Sequence, residues 1–146
     1  MRTLARNMQK LKYSLEDGTR TIYEYDSEGN PKIAYTDEEG NVYYVEAGQV
    51  TNFTEPTEFF ASIAQSGGEA EAKDFGLSIA DYDATIVTAI GTVPLEIGSV
   101  IWHTSEVKYT TELDKKHTDE KSADYIVIKV NRSLNYTKYV LKAVVK

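Results

Sequence analysis

The 146-residue chain contains no cysteine. That excludes a disulfide framework, thiolate catalysis and any Cys-based zinc or iron–sulfur site. It has two histidines, His103 and His117. Two imidazoles without a thiolate nearly exclude a standard tetrahedral zinc centre as well. No stretch approaches the ~20 apolar residues that a membrane helix needs. The start, Met1 to Ser14, carries bases but no apolar core of an export signal. These absences predict a chain made in the cytosol without membrane contact. Basic charge is also short: 16 Lys and Arg stand against 23 Asp and Glu, a net of −7. Such a balance argues against a conventional nucleic-acid-binding face. Three N-x-S/T triplets, at Asn52, Asn131 and Asn135, read as chance in a Thr-rich sequence without a secretion signal.

What remains suits one globular domain over residues 1–146. Hydrophobic residues make up 41%, and the length falls near the common domain size of roughly 100–150 residues. The charges are unevenly placed. Every acid lies between Glu16 and Asp124, while residues 1–12 carry +4 and residues 129–146 carry +5, which leaves −16 in the middle. Two basic ends lying against an acidic body would explain this. So would a polar molecule with one acidic and one basic surface, able to stack in a ring.

Turn signals dominate the first third. Glu16-Asp17-Gly18-Thr19, Ser27-Glu28-Gly29-Asn30 and Glu38-Glu39-Gly40-Asn41 recur every 11 residues. Runs of Tyr, Ile, Val and Thr separate them. Acid–Gly turns between β-formers signal hairpins, so residues 13–46 read as a Tyr-rich β-meander. Further strands are predicted at Glu58–Ile63, Thr85–Thr88, Ser99–His103, Asp124–Val130 and Tyr136–Val145. Between the first two of these, the segment 65–83 holds the Gly67-Gly68 pair and the run Glu69 to Asp74. It reads as a long excursion with one short helix, and such excursions are usually functional. Thr104 to Ala123 has no apolar periodicity and reads as a solvated loop or loose hairpin. The fold class that follows is all-β, a small barrel or sandwich.

Catalysis needs a positioned base, nucleophile or metal, and the sequence offers few. Alternation buries Trp102 and turns His103 outward, and neither histidine has a nucleophile elbow nearby. Asp81 and Asp83 would share a strand face, as a calcium or glycosidase pair requires; a turn entering the next strand accounts for them better. The acidic turns lack the spacing of a calcium loop. Segments such as Asp37 to Val45 resemble cell-wall-binding repeats, which build sugar or choline pockets from aromatics. That alternative suffers from having its one tryptophan outside the meander.

The stretch from Phe59 to Val145 resembles the small head-closure proteins (stoppers, or head–tail joining proteins) of long-tailed bacteriophages. The likeness rests on Ser66-Gly67-Gly68-Glu69-Ala70-Glu71, Phe75-Gly76, Asp81-Tyr82-Asp83, Pro94-Leu95 and Ile101-Trp102. It continues after the charged loop with Ala123 to Val127, Val130, Ser133-Leu134-Asn135 and Tyr139 to Lys142. The resemblance implies a small β-barrel with no catalytic residue, cofactor or metal. It implies a hexameric or dodecameric ring in the virion's head–tail connector, made in the host cytoplasm. The ring would seal the DNA channel after packaging and dock the tail. Its partners would be other copies of itself, a portal-adaptor protein and a tail-completion or tail-terminator protein, with passing contact to packaged DNA. The channel-facing gate would fall in 65–83, with Gly67, Gly68, Glu69, Glu71, Lys73, Asp74 and Phe75 as its candidates. Acids in that segment would repel phosphate within about a Debye length, ~8 Å at physiological salt. Arg2, Arg6, Lys138, Lys142, Tyr23, Tyr25 and Tyr43 are the candidate ring or partner contacts. The meander is an elaboration on this pattern.

Overall fold

The computed structural model describes residues 8–65 and 82–145. Twelve strands account for most of them: β1 (Gln9–Ser14), β2 (Glu16–Tyr23), β3 (Ile33–Thr36), β4 (Val42–Tyr44), β5 (Glu46–Phe53) and β6 (Thr57–Gln65), then β7 (Ala84–Ala89), β8 (Val100–Trp102), β9 (Tyr109–Glu112), β10 (Lys115–Thr118), β11 (Tyr125–Arg132) and β12 (Tyr136–Ala143). Six of them close a barrel in the order β1-β6-β7-β12-β11-β8, and every neighbouring pair is antiparallel. The expected all-β barrel is therefore the architecture of the protein. The predicted short helix, Glu69 to Asp74, lies outside the described residues.

The barrel closes around alternating positions. Leu11, Phe59, Ala61, Ala84, Ile86, Ile101, Val127, Tyr139 and Leu141 point inward and form one buried cluster. Alternation puts these side chains on the inner face, while neighbours such as Val100, Trp102 and Val140 are buried in separate clusters. Ala61 and Ala84 keep two positions small, which lets Phe59 and Tyr139 fit a six-stranded interior. A second cluster sits on the outer face of β8, where Val100 and Trp102 pack with Ala123 beneath Phe53, Val107, Ile126 and Val144. The segment after β8 covers this face. Residues 104–123 form the β9–β10 hairpin and a single 3-10 turn, Glu120–Ser122, where a loop or loose hairpin was expected.

Antiparallel order fixes which connections share an end of the barrel. The chain leaves β1 for β6, β7 for β8 and β11 for β12 all at one end. In the ring of six strands β7 and β8 stand opposite each other. Their loop, residues 90–99, therefore crosses the barrel mouth, and its Leu95 is 1% exposed.

The β1–β6 connection, residues 15–56, is a long arm, and here the meander expectation needs correcting. The segment is β-structure, but its strands nest rather than follow one another. β2 pairs with β5, and β3 pairs with β4 farther out. The Glu16-Asp17-Gly18-Thr19 signal makes no hairpin. The β2–β5 register shifts between Glu16 and Thr19, with Gly18 at φ +68°. A bulge uses the same left-handed glycine that a turn does, so local sequence does not separate the two. The other two signals do make turns, and they are copies of each other. Asp26 Oδ1 accepts from the amides of Glu28 and Asn30, and Asp37 Oδ1 from those of Glu39 and Asn41, at 2.8–3.0 Å. Where the arm divides, the backbones at 24, 32 and 45 exchange three hydrogen bonds of 2.9 Å in a cycle, Glu24 to Val45, Val45 to Lys32 and Lys32 to Glu24.

Candidate functional site

The arm is fastened at its root. Thr54 exchanges bonds with Leu15: its amide donates to the Leu15 carbonyl at 2.9 Å, and its hydroxyl accepts from the Leu15 amide at 3.0 Å. The Thr54 carbonyl accepts from Ser14 Oγ and, at 3.1 Å, from Thr118 Oγ1 of the neighbouring hairpin. Buried backbone carbonyls need such partners.

Halfway along, the arm leans on the β9–β10 hairpin, and one carboxylate takes two of the bonds. Glu112 Oε1 accepts from the Tyr23 amide at 2.7 Å and from the Tyr25 hydroxyl at 2.9 Å. The Tyr25 oxygen in turn accepts from the Leu113 amide at 3.2 Å. Leu113 and Asp114 have φ of +48° and +68°, the conformation of a tight primed hairpin turn, which a leucine rarely adopts. Tyr25 thus braces the one strained turn that faces the arm. The Leu113 bond pulls the Tyr25 hydroxyl down, but burial and the Glu112 carboxylate push it above its ordinary value. Nearby, Tyr109 donates to Glu55 Oε1 at 2.8 Å, a bond that raises its own titration point.

Beyond Tyr25 most residues of the arm are exposed. Tyr35 and Tyr43, register partners on β3 and β4, stack with centroids 4.6 Å apart and planes at 17°. Tyr35 is 60% exposed and Ile33 62%. The β3–β4 register shifts between Ile33 and Tyr35, so Ile33 goes with Tyr44 on one face while Tyr35 and Tyr43 make the aromatic patch on the other. Residues 24–46 around it hold seven acids and one base. Burial of such aromatics is favourable and specific in geometry, so an exposed set at a protruding tip is a contact surface in waiting.

The lysines expected at an interface sit elsewhere. Lys138 and Lys142 alternate with the inward Tyr139 and Leu141 on β12, so both face outward. β12 stands opposite β1 in the barrel. The candidate tyrosines and the candidate lysines are therefore on opposite flanks of one subunit. The fold gathers Tyr23, Tyr25 and Tyr43 on the arm and keeps them apart from Lys138 and Lys142. Arg2, Arg6 and the gate candidates Gly67, Gly68, Glu69, Glu71, Lys73, Asp74 and Phe75 lie outside the described residues, as does Asp81.

Where chemistry was considered, the residues have structural work. Asp83 accepts from the Ala143 amide at 2.7 Å, which ties the start of β7 to the end of β12. His103 pairs with Gln9 through Nε2; it is partly exposed while Trp102 is 2% exposed, as alternation requires. Burial, followed by Arg20, pushes His117 below the usual imidazole range. Among the described residues no three His, Asp or Glu side chains converge as a metal site would require.

Reading the sequence missed Asp124. Its Oδ2 accepts from the amides of His103, Thr104 and Ser105 at 2.7–3.0 Å, and its Oδ1 from the Ser105 hydroxyl at 2.6 Å. Burial pushes this carboxyl up, but the bonds from Ser105, His103 and Thr104 outweigh it and bring it down to about 2. It pins the point where the chain leaves β8 for the hairpin. Also missed was an open cleft of about 510 Å³ at the arm end of the barrel, between the 90–96 loop and the β11–β12 turn. No family model matches the chain, and neither the curated proteins nor the solved structures include one similar to it.

Proposed function

We propose that this chain is a non-catalytic structural subunit of a phage particle, a head-closure ring protein at the head–tail interface. It seals the DNA channel after packaging and gives the tail a docking surface. The observation that carries the reading is the barrel's two unlike flanks. An acidic, Tyr-tipped arm roots at β1 and β6, and the lysine-bearing β12 stands opposite. Unlike surfaces on opposite sides of one body form heterologous contacts, which close into rings when the rotation permits. The resemblance of residues 59–145 to head-closure proteins supplies the rest: a portal-adaptor neighbour above, a tail-completion or tail-terminator neighbour below, and the acid-rich 65–83 segment toward the DNA.

The direct test is a particle assembled without this chain. Leakage of packaged DNA and failure to join tails are expected. Full heads with tails attached would end the proposal. A second reading, a cell-wall or carbohydrate-binding β-repeat module, draws on the two identical turns 11 residues apart and the exposed tyrosines beside them. Saturable binding of choline or glycan by the purified chain, lost in Tyr43→Ser, is its signature.

A further inference from the structure

We infer that the arm tip of one copy seats in the cleft at the barrel mouth of a second copy. The inference deepens the ring reading by naming the two surfaces that meet. The stacked pair Tyr35 and Tyr43 forms the inserted face. The receiving cleft has apolar walls from Ile90, Val93, Pro94 and Leu95, with Arg132 among its lining groups.

Three observations converge on a second copy as the occupant. The first is charge. The tip, residues 24–46, carries seven acids and one base, whereas residues 125–145, part of which line the cleft, carry four bases and no acid, Arg132 being the one of the four in the lining. Glu96 also lines the cleft, so the acidic tip meets it best from the Arg132 side. The second is apolar match. The tip exposes Tyr35 at 60% and Tyr43 at 42%, and the lining of the cleft exposes Ile90 at 52%. The third is position. The arm root and the cleft are at the same end of the barrel, because the β1–β6, β7–β8 and β11–β12 connections all lie there. They are on opposite flanks, because β12 faces β1 across the ring of strands. Copies placed side by side thus bring the arm root of one level with the cleft of the next. A contact of this kind joins unlike surfaces on opposite flanks and closes into a ring when the rotation between copies permits.

The size of the contact sets its strength. Two tyrosines cover on the order of 300 Å² on the arm side, less than half of the ~800 Å² per partner of a standard stable interface. A single arm contact is weak, and closure of the ring supplies the remainder by making each further contact intramolecular.

The absence of native cysteine makes the test clean. Full-length chains bearing Ala34→Cys and Ser133→Cys, one thiol each and both tip tyrosines kept, are mixed at high concentration and oxidised, and the linked dimers are identified by mass. The 34–133 product is expected to exceed both the 34–34 and 133–133 products well beyond their random proportions. Adding Arg132→Glu to the second chain, or Glu39→Lys to the first, lowers its yield roughly fivefold, and adding both restores it. Random proportions of the three products overturn the inference. So does loss of adaptor or tail-protein binding in Tyr35→Ser with no preference for 34–133, which would give the tip a different partner. A closed ring of the native chain with random products would remove this contact and leave the ring reading intact. A dominant 34–133 product from a chain whose absence leaves particles sealed and tailed would do the reverse.

Discussion

The barrel and the arm are both antiparallel β-structure, yet different forces hold them. In the barrel, Ala61, Ala84, Ile86, Ile101, Val140 and Leu141 have no measurable exposure, and burial of apolar surface is the dominant stabilising term. In the arm, strands β2 to β5 bury no side chain fully. A two-stranded ribbon of that kind is marginal in water. What holds it is local polar chemistry: two Asp-capped turns, a cycle of three backbone bonds, and the Glu112–Tyr25 brace. The contrast shows that β-content says little about where stability lies. A region can be as regular as the core and still depend on a handful of carboxylates.

Four substitutions sharpen or break this contrast. The largest effect is expected in the barrel. Leu141→Ala removes a fully buried side chain and lowers unfolding stability by about 2–5 kcal/mol in urea titration. A loss below about 1 kcal/mol would mean that the barrel is not the core. Asp124→Asn comes next, about 1–3 kcal/mol, because it weakens four bonds to one carboxylate. The sign with pH follows from its lowered pKa. The native chain keeps this stabilisation above about pH 4 and loses it as pH falls from near 3.8 through about 2. In that window the stability of the Asn variant changes less steeply than that of the native chain.

The arm variants are smaller and local. Gly40 has φ +88°, and a Cβ added there would meet nothing within 4 Å. Gly40→Ala therefore meets only backbone strain, roughly 1–2 kcal/mol. Amide exchange should quicken in residues 33–44 while the barrel's unfolding midpoint stays fixed. A matching drop in the barrel midpoint would show that arm and barrel melt as one unit. Tyr25→Phe removes the hydroxyl shared by Glu112 and Leu113 and costs about 0.5–1.5 kcal/mol. Exchange at Leu113 and Tyr23 is its readout, and unchanged rates there would leave the brace without a role.

Much of the barrel was legible because its strands obey a period of two. The runs at 58–63, 85–88, 99–103, 124–130 and 136–145 all coincide with observed strands, and the burial of Trp102 over His103 followed from alternation alone. The arm's β-content was legible for the same reason, and its two acid–Gly turns from their residue types. Its nesting was not. Pairing Tyr23 with Glu46 rather than with a nearer strand depends on tertiary closure, and a bulge at Gly18 carries the same local signature as a turn. The sites fared less well. Tyr35 was accessible to alternation in the Tyr-rich hairpin. Asp124 and Glu112 were not, because their partners lie 19–21 residues away for Asp124 and 87–89 away for Glu112. Gathering such groups is the work of closure, which no local pattern encodes.

The lone tryptophan has one further consequence. Trp102 sits outside the barrel wall, roofed by residues 104–123, with its indole N–H donating to Ser122 Oγ at 3.0 Å. Light emitted by this chain under tryptophan excitation therefore comes from one spot, and its colour tracks whether that roof is on. Lifting the hairpin, by a neighbour or by acid at Asp124, would redden the emission while the strands beneath stayed intact, so the molecule carries its own optical gauge of a single joint.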